Sequence, residues 1–141
     1  MYQKILVALE NSRADESLLP HVTELAKKFQ SELLLVHVAD GWVARNFDRL
    51  QLAESEEMKT DRTYLEVTAR QLRAEGLNVT AQLALGDPPT EILRTADREK
   101  CDLIAMTAHG HRLLGDLIFG STIHEVRHRS FVPILLVRAG T

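Results

Sequence analysis

One cysteine, Cys101, occurs in 141 residues, so no intrachain disulfide can form and the usage fits a reducing compartment. Long apolar runs are lacking near the start of the chain. Ile5 to Leu9 is five residues long and is followed by Glu10, far short of the ~20 residues of a membrane span or of a signal-peptide core. Neither sign of charge dominates. Seventeen Lys and Arg against 20 Asp and Glu leave a net charge of −3, spread evenly. That balance excludes a general pull toward nucleic acid or an anionic membrane, so an anionic ligand must be held by a local site. No repeat, low-complexity tract or linker interrupts the chain. With 45% hydrophobic residues, the composition describes one folded domain over residues 1–141, read as cytoplasmic.

Short β-rich runs alternate with longer amphipathic stretches. Lys4-Ile-Leu-Val-Ala8 and Leu33-Leu-Leu-Val-His-Val38 are continuous apolar runs, as strands buried on both faces should be. Val79 to Leu85 alternates more and is expected nearer an edge; Leu103 to Thr107 and Pro133 to Val137 complete five strands. Between them, Ala14 to Phe29 places Leu18, Val22, Leu25 and Ala26 at helical spacing, with Pro20 predicting a kink or a shifted first turn. A second helix is expected from about Phe47 to Glu75, with a stripe through Phe47, Leu50, Met58, Leu65, Ala69 and Leu72 and with Gly76 as its cap. The third starts with Asp87 as N-cap and Pro88 as first helical residue, and a last short helix is expected from Ile123 to Arg129.

The order βαβαβαβαβ predicts an α/β fold, a parallel sheet covered by helices on both faces. Ligands of such sheets bind beyond the strand carboxyl ends, where strand order reverses. That directs attention to Leu9–Ser12, Val38–Asp40 and Thr107–Thr122. The last of these carries Gly110, Gly115 and Gly120-Ser121-Thr122 at an expected helix start, with Arg112 as countercharge. Glycines permit close backbone approach, and a helix N-terminus adds free N–H donors, so the loop has the ingredients of a phosphate site. It is neither of the two commonest glycine-rich phosphate fingerprints.

The whole chain resembles the universal stress proteins of the small single-domain kind. The resemblance is carried by the opening KILVALENS, the strand LLLVHVAD, the turn Gly86-Asp87-Pro88 with Glu91-Ile92-Leu93, the closing VPILLVR, and Thr107-x2-Gly110-x9-Gly120-Ser121. The family's nucleotide-binding members have glycine where Thr107 stands. The resemblance implies an open five-stranded parallel sheet of order 3-2-1-4-5, of the adenine nucleotide alpha hydrolase-like type. It implies an ATP or AMP site, with Mg2+ or Mn2+ accompanying the nucleotide. Phosphates would fall on Gly110, Gly120 and Ser121, with Thr122 and Arg112 adjoining. Ribose and adenine would fall on Ala8, Leu9 and Glu10, with the Val38 backbone at the base edge and Met106 and Thr107 beside the nucleoside. Two residues depart from the pattern: Glu10 is one methylene longer than the usual Asp, and Thr107 adds a β-branched side chain that would crowd the nucleotide or add a contact. The resemblance also implies a homodimer paired through the last strand, Val132 to Arg138.

His124-Glu-Val-Arg-His128 spells a zinc-protease motif. The 13 residues after His128 hold no His, Asp, Glu or Cys to complete the ligand set, and Thr122 to Glu125 reads equally as a helix capping box. No metal ligand or catalytic residue is assigned. A surface metal site at His109 and His111 lacks an acidic or cysteine partner. His37 is expected to be a hydrogen-bonded core histidine, and Trp42 to pack under the long helix. The function expected is a nucleotide-binding stress-response or regulatory module without efficient catalysis. A slow ATP hydrolase and a nucleotide-free module for an unidentified protein partner are the alternatives.

Overall fold

The computed structural model describes residues 1–39, 56–109 and 116–140. Five strands, β1 (Lys4–Ala8), β2 (Glu32–Ala39), β3 (Asn78–Leu85), β4 (Leu103–Ala108) and β5 (Ile134–Arg138), form one sheet of order β3-β2-β1-β4-β5. Every adjacent pair is parallel, with Leu6 opposite Leu34 on one side and Ile104 on the other. β3 lies at an edge, as its alternation predicts.

Among the described residues, four helices cover the sheet: α1 (Asp15–Phe29), α2 (Glu56–Ala74), α3 (Pro88–Arg98) and α4 (Asp116–Arg129). The period of two along each strand sorts the core into two layers. Ile5, Val7, Leu33 and Leu35 meet Leu18, Val22 and Ala26 of α1 and Leu65, Ala69 and Leu72 of α2. Leu6, Leu34, Val36, Ile104 and Met106 meet Ile92 and Ala96 of α3 and Val126 of α4. Continuous apolar strands are what a sheet buried on both faces requires.

Local signals place the helix ends. The Asp87 carboxylate accepts from the Thr90 amide at 3.3 Å, capping α3 ahead of Pro88. At the end of α2, Gly76 takes a φ of +91° that an L side chain would strain, and its amide donates to the Arg73 carbonyl at 2.9 Å. α1 opens through three consecutive i→i−3 bonds of 3.1 Å, and Pro20 is accommodated inside it. The first half of the expected second helix, from Phe47, lies outside the described residues, as does Trp42.

The last helix corrects the sequence reading. It begins at Asp116 rather than Ile123, so Gly120 and Ser121 lie within it instead of preceding it. Asp116-Leu-Ile-Phe are ordinary helical residues, and one glycine costs a helix only about 1 kcal/mol, too little to break it. Thr122 and Glu125 are consequently interior residues and do not form an N-terminal capping box.

Candidate functional site

Strand order reverses between β1 and β4, and the chain leaves these neighbours in opposite directions. The gap opens into a cleft of about 510 Å³ at the carboxyl ends of β1, β2 and β4. Seven of the expected site residues line it together: Ala8, Leu9, Glu10, Val38, Met106, Thr107 and Thr122. Gly110 and Arg112 lie outside the described residues. Gly120 and Ser121 are placed in the second turn of α4, where a backbone amide is already the helix's own donor. The free amides of that helix belong to its first turn, upstream of Gly120.

The walls of the cleft differ in chemistry. One is apolar, formed by Val36, Met106, Pro88, Ile92 and Ile123. The other is polar and comes from residues that sequence spacing did not single out as ligand-facing: Asn11, His37, Thr60 and Asp61. His37 Nδ1 lies 2.8 Å from the Leu9 carbonyl, which can only accept, so that nitrogen carries the proton and donates. Its Nε2 lies 3.3 Å from the Asp61 carboxylate, and Asn11 Nδ2 donates to the same carboxylate at 2.8 Å. The loop after β1, the end of β2 and the start of α2 are thus joined by side chains. His37 is hydrogen-bonded, as expected, but it faces the cleft as well as the core.

Asp15 holds the loop from beneath. It is 1% exposed, and its carboxylate accepts from the Glu10 amide at 3.0 Å, the Asn11 amide at 2.9 Å and the Tyr64 hydroxyl at 2.7 Å. Asn11 sits at φ +59°, a left-handed conformation that Asn tolerates better than most residues. Burial and the hydrogen bond to the Asp15 carboxylate push the Tyr64 hydroxyl's pKa well up, so it remains a donor.

Glu10 reaches across to the end of β4. Both its carboxylate oxygens lie 2.7 Å from His109 Nε2, and the two side chains are largely buried. Burial raises the pKa of Glu10, while His109 opposes that shift by stabilising the charged form. Thr107 shares the face of Leu103 and Ala105 by strand alternation. Its hydroxyl is buried and has no hydrogen-bond partner.

Among the described residues, no three His, Cys, Asp or Glu side chains converge to hold an ion. His124 and His128 are exposed on α4 with ring centroids 4.3 Å apart, and Glu125 lies 3.9 Å from Arg129. His111 lies outside the described residues. No described helix is long and apolar enough to cross a membrane.

The profile of the universal stress protein family matches residues 1–138. Universal stress protein YxiE of Bacillus subtilis is 30% identical over 148 aligned residues, spanning 98% of this chain and all of the relative. Universal stress protein MJ0577 of Methanocaldococcus jannaschii is 27% identical, with 98% of this chain and 96% of the relative covered. The solved structure of MJ0577 superposes with a TM-score of 0.78 over 100% of this chain and 99% of its own. Two more distant structures share the fold. One is the Archaeoglobus fulgidus universal stress protein in complex with dAMP, at 21% identity and TM-score 0.72, covering 96% of this chain and 98% of its own. The other is a universal stress protein in complex with cAMP, at 17% and 0.71, covering 99% and 98%. Fold, sheet order and sequence agree, and the chain belongs to the universal stress protein family.

Proposed function

We propose that the cleft binds an adenine nucleotide, ATP or AMP, and that the protein is a cytoplasmic stress-response or regulatory module rather than an efficient enzyme. The observation that carries this reading is the convergence of Ala8, Leu9, Glu10, Val38, Met106, Thr107 and Thr122 on one cleft at the strand-order reversal. An apolar wall of Met106, Ile92 and Pro88 suits the face of a base, and the polar wall suits its edge and the ribose. The relatives solved with dAMP and cAMP support the ligand class.

In this reading Gly110, Gly120 and Ser121 take the phosphates, with Arg112 and Thr122 adjoining. Calorimetric titration with ATP and AMP tests it directly, alongside mass spectrometry of whatever small molecule co-purifies. Gly120→Val is expected to weaken ATP at least about tenfold by adding bulk on the second turn of α4, where Gly120 no longer offers a free amide. Unchanged affinity would remove Gly120 from the site. Intact nucleotide after prolonged incubation with labelled ATP supports a sensor; steady phosphate release would make the protein a slow hydrolase. Absence of binding would leave a nucleotide-free interaction module.

The same reading includes a homodimer through β5. Among the described residues this strand pairs only with β4, none of its residues is fully buried, and Leu136 and the nearby Phe131 are exposed. An apolar edge with unpaired backbone groups is suited to antiparallel pairing with a second copy about a two-fold axis. Leu136→Pro would delete a ladder donor and is expected to give monomer or aggregate in sedimentation. A wild-type monomer at micromolar concentration would contradict the assembly.

A further inference from the structure

The family resemblance implies Mg2+ or Mn2+ beside the nucleotide, and Glu10 is the carboxylate placed to carry it. The geometry around Glu10 does not fit that task. A cation needs a carboxylate lone pair turned toward it. Here both oxygens are equidistant, at 2.7 Å, from one imidazole nitrogen. No further pair of His, Cys, Asp or Glu side chains joins Glu10 among the described residues. Asp15, whose charge also acts on Glu10, is occupied by the Glu10 and Asn11 amides and the Tyr64 hydroxyl. Asp61, the other acid of the cleft, is likewise taken up by His37 and Asn11.

We propose that His109 is a positioning residue that commits Glu10 to an imidazole instead of a cation, so that the cleft takes its nucleotide without a divalent ion carried by Glu10. The proposal rests on the nucleotide reading above. Three features of the pair support it. It spans the two strand ends that flank the strand-order reversal, fixing the loop after β1 to the end of β4. It is largely buried, so Glu10 needs a permanent partner to remain charged, and His109 supplies one. It also turns both carboxylate oxygens toward the end of β4 instead of leaving them free in a cleft that must admit phosphate.

The experiment compares ATP affinity of the intact protein in EDTA with that in excess Mg2+, for the wild type, Glu10→Gln and His109→Ala. The ratio of the two affinities cancels the metal's own effect on ATP. It is expected to agree within about twofold between the wild type and Glu10→Gln, and to rise at least about fivefold in His109→Ala, where the carboxylate is released. A wild-type ratio about tenfold above that of Glu10→Gln would overturn the proposal, because Glu10 would then carry the ion. An unchanged ratio in a folded His109→Ala would overturn it too, since His109 would not be what withholds the carboxylate. Should His109→Ala fail to fold, Glu10→Gln decides alone, because its amide oxygen still accepts from Nε2. No heat with ATP or AMP in any condition would retire the nucleotide reading instead. Mn2+ binding to the ligand-free protein, read by electron paramagnetic resonance, then decides only whether Glu10 is withheld from a cation: equal Mn2+ uptake by wild type and Glu10→Gln sustains that part of the proposal, and uptake lost in Glu10→Gln ends it.

Discussion

The two ends of the sheet are built from similar residue types and put to opposite uses. At the amino end, the Asp102 carboxylate takes the Gln3 and Lys4 amides at 2.9 and 3.1 Å. Lys4 adds ion pairs to Glu32 and Glu99, and the Ser31 hydroxyl donates to the Tyr2 carbonyl. At the carboxyl end, acidic side chains are also paired, but around open space: Glu10 with His109, and Asp61 with His37 and Asn11, beside a cleft of about 510 Å³. Acids at the closed end bind backbone amides and lysine; at the open end Asp15 binds backbone amides from beneath, while Glu10 and Asp61, the two acids that line the cleft, each meet a histidine. A backbone amide ties an acid to the strand start itself, whereas the histidines join side chains of separate elements around the cleft. The contrast shows how a doubly covered parallel sheet separates folding from ligand contact along one set of strands.

Substitutions at each end should separate stability from affinity. The largest effect is expected at Asp15, the buried base of the open end. Asp15→Ala leaves two amides without their acceptor and takes that of the half-buried Tyr64 hydroxyl, and should cost about 3 kcal/mol in urea unfolding while also weakening ATP. At the closed end, Asp102→Ala strands two partly exposed amides and should cost about 1.5 kcal/mol, with ATP affinity unchanged in calorimetry. Equal losses of affinity in both variants would erase the distinction between the ends. Smallest is Thr107→Val, which keeps the shape and deletes a buried hydroxyl that has no partner. It should stabilise the fold by about 1 kcal/mol, read as a higher melting temperature, with ATP affinity held within about twofold. A large loss of affinity there would make the hydroxyl a ligand contact.

The fold was legible because its signals are local and repeated. Apolar runs such as Ile5–Leu9 and Leu33–Val36 have one physical solution, burial on both faces, and the Asp87-Pro88 start of α3 is a chemical stop-and-go sign. The seven cleft residues found together were legible from strand ends plus family resemblance. Less legible was the start of α4, since one glycine reads as a break although a helix can carry it. The polar wall was not legible as a unit. Asp61 sits 50 residues from Asn11, and Glu10 sits 99 from His109, so only the closed sheet brings them into contact. A buried acid such as Asp15, five residues after Glu10, resembles any first-turn acid of a helix until its three donors are seen.

The lone thiol provides an intrinsic clock. Cys101 is 4% exposed, and burial pushes its pKa up to about 11. Alkylating reagents require an accessible thiolate, so the closed chain should be silent to them at pH 8 and label only during openings of the α3–β4 junction. Cys101 packs in the same apolar layer as Ile92 and Met106, which also wall the cleft. Openings that release the thiol would therefore loosen the wall against which a ligand rests. A ligand specific to the closed form slows labelling by the factor its occupancy dictates, so the unmodified protein reports its own binding through the lifetime of one sulfur.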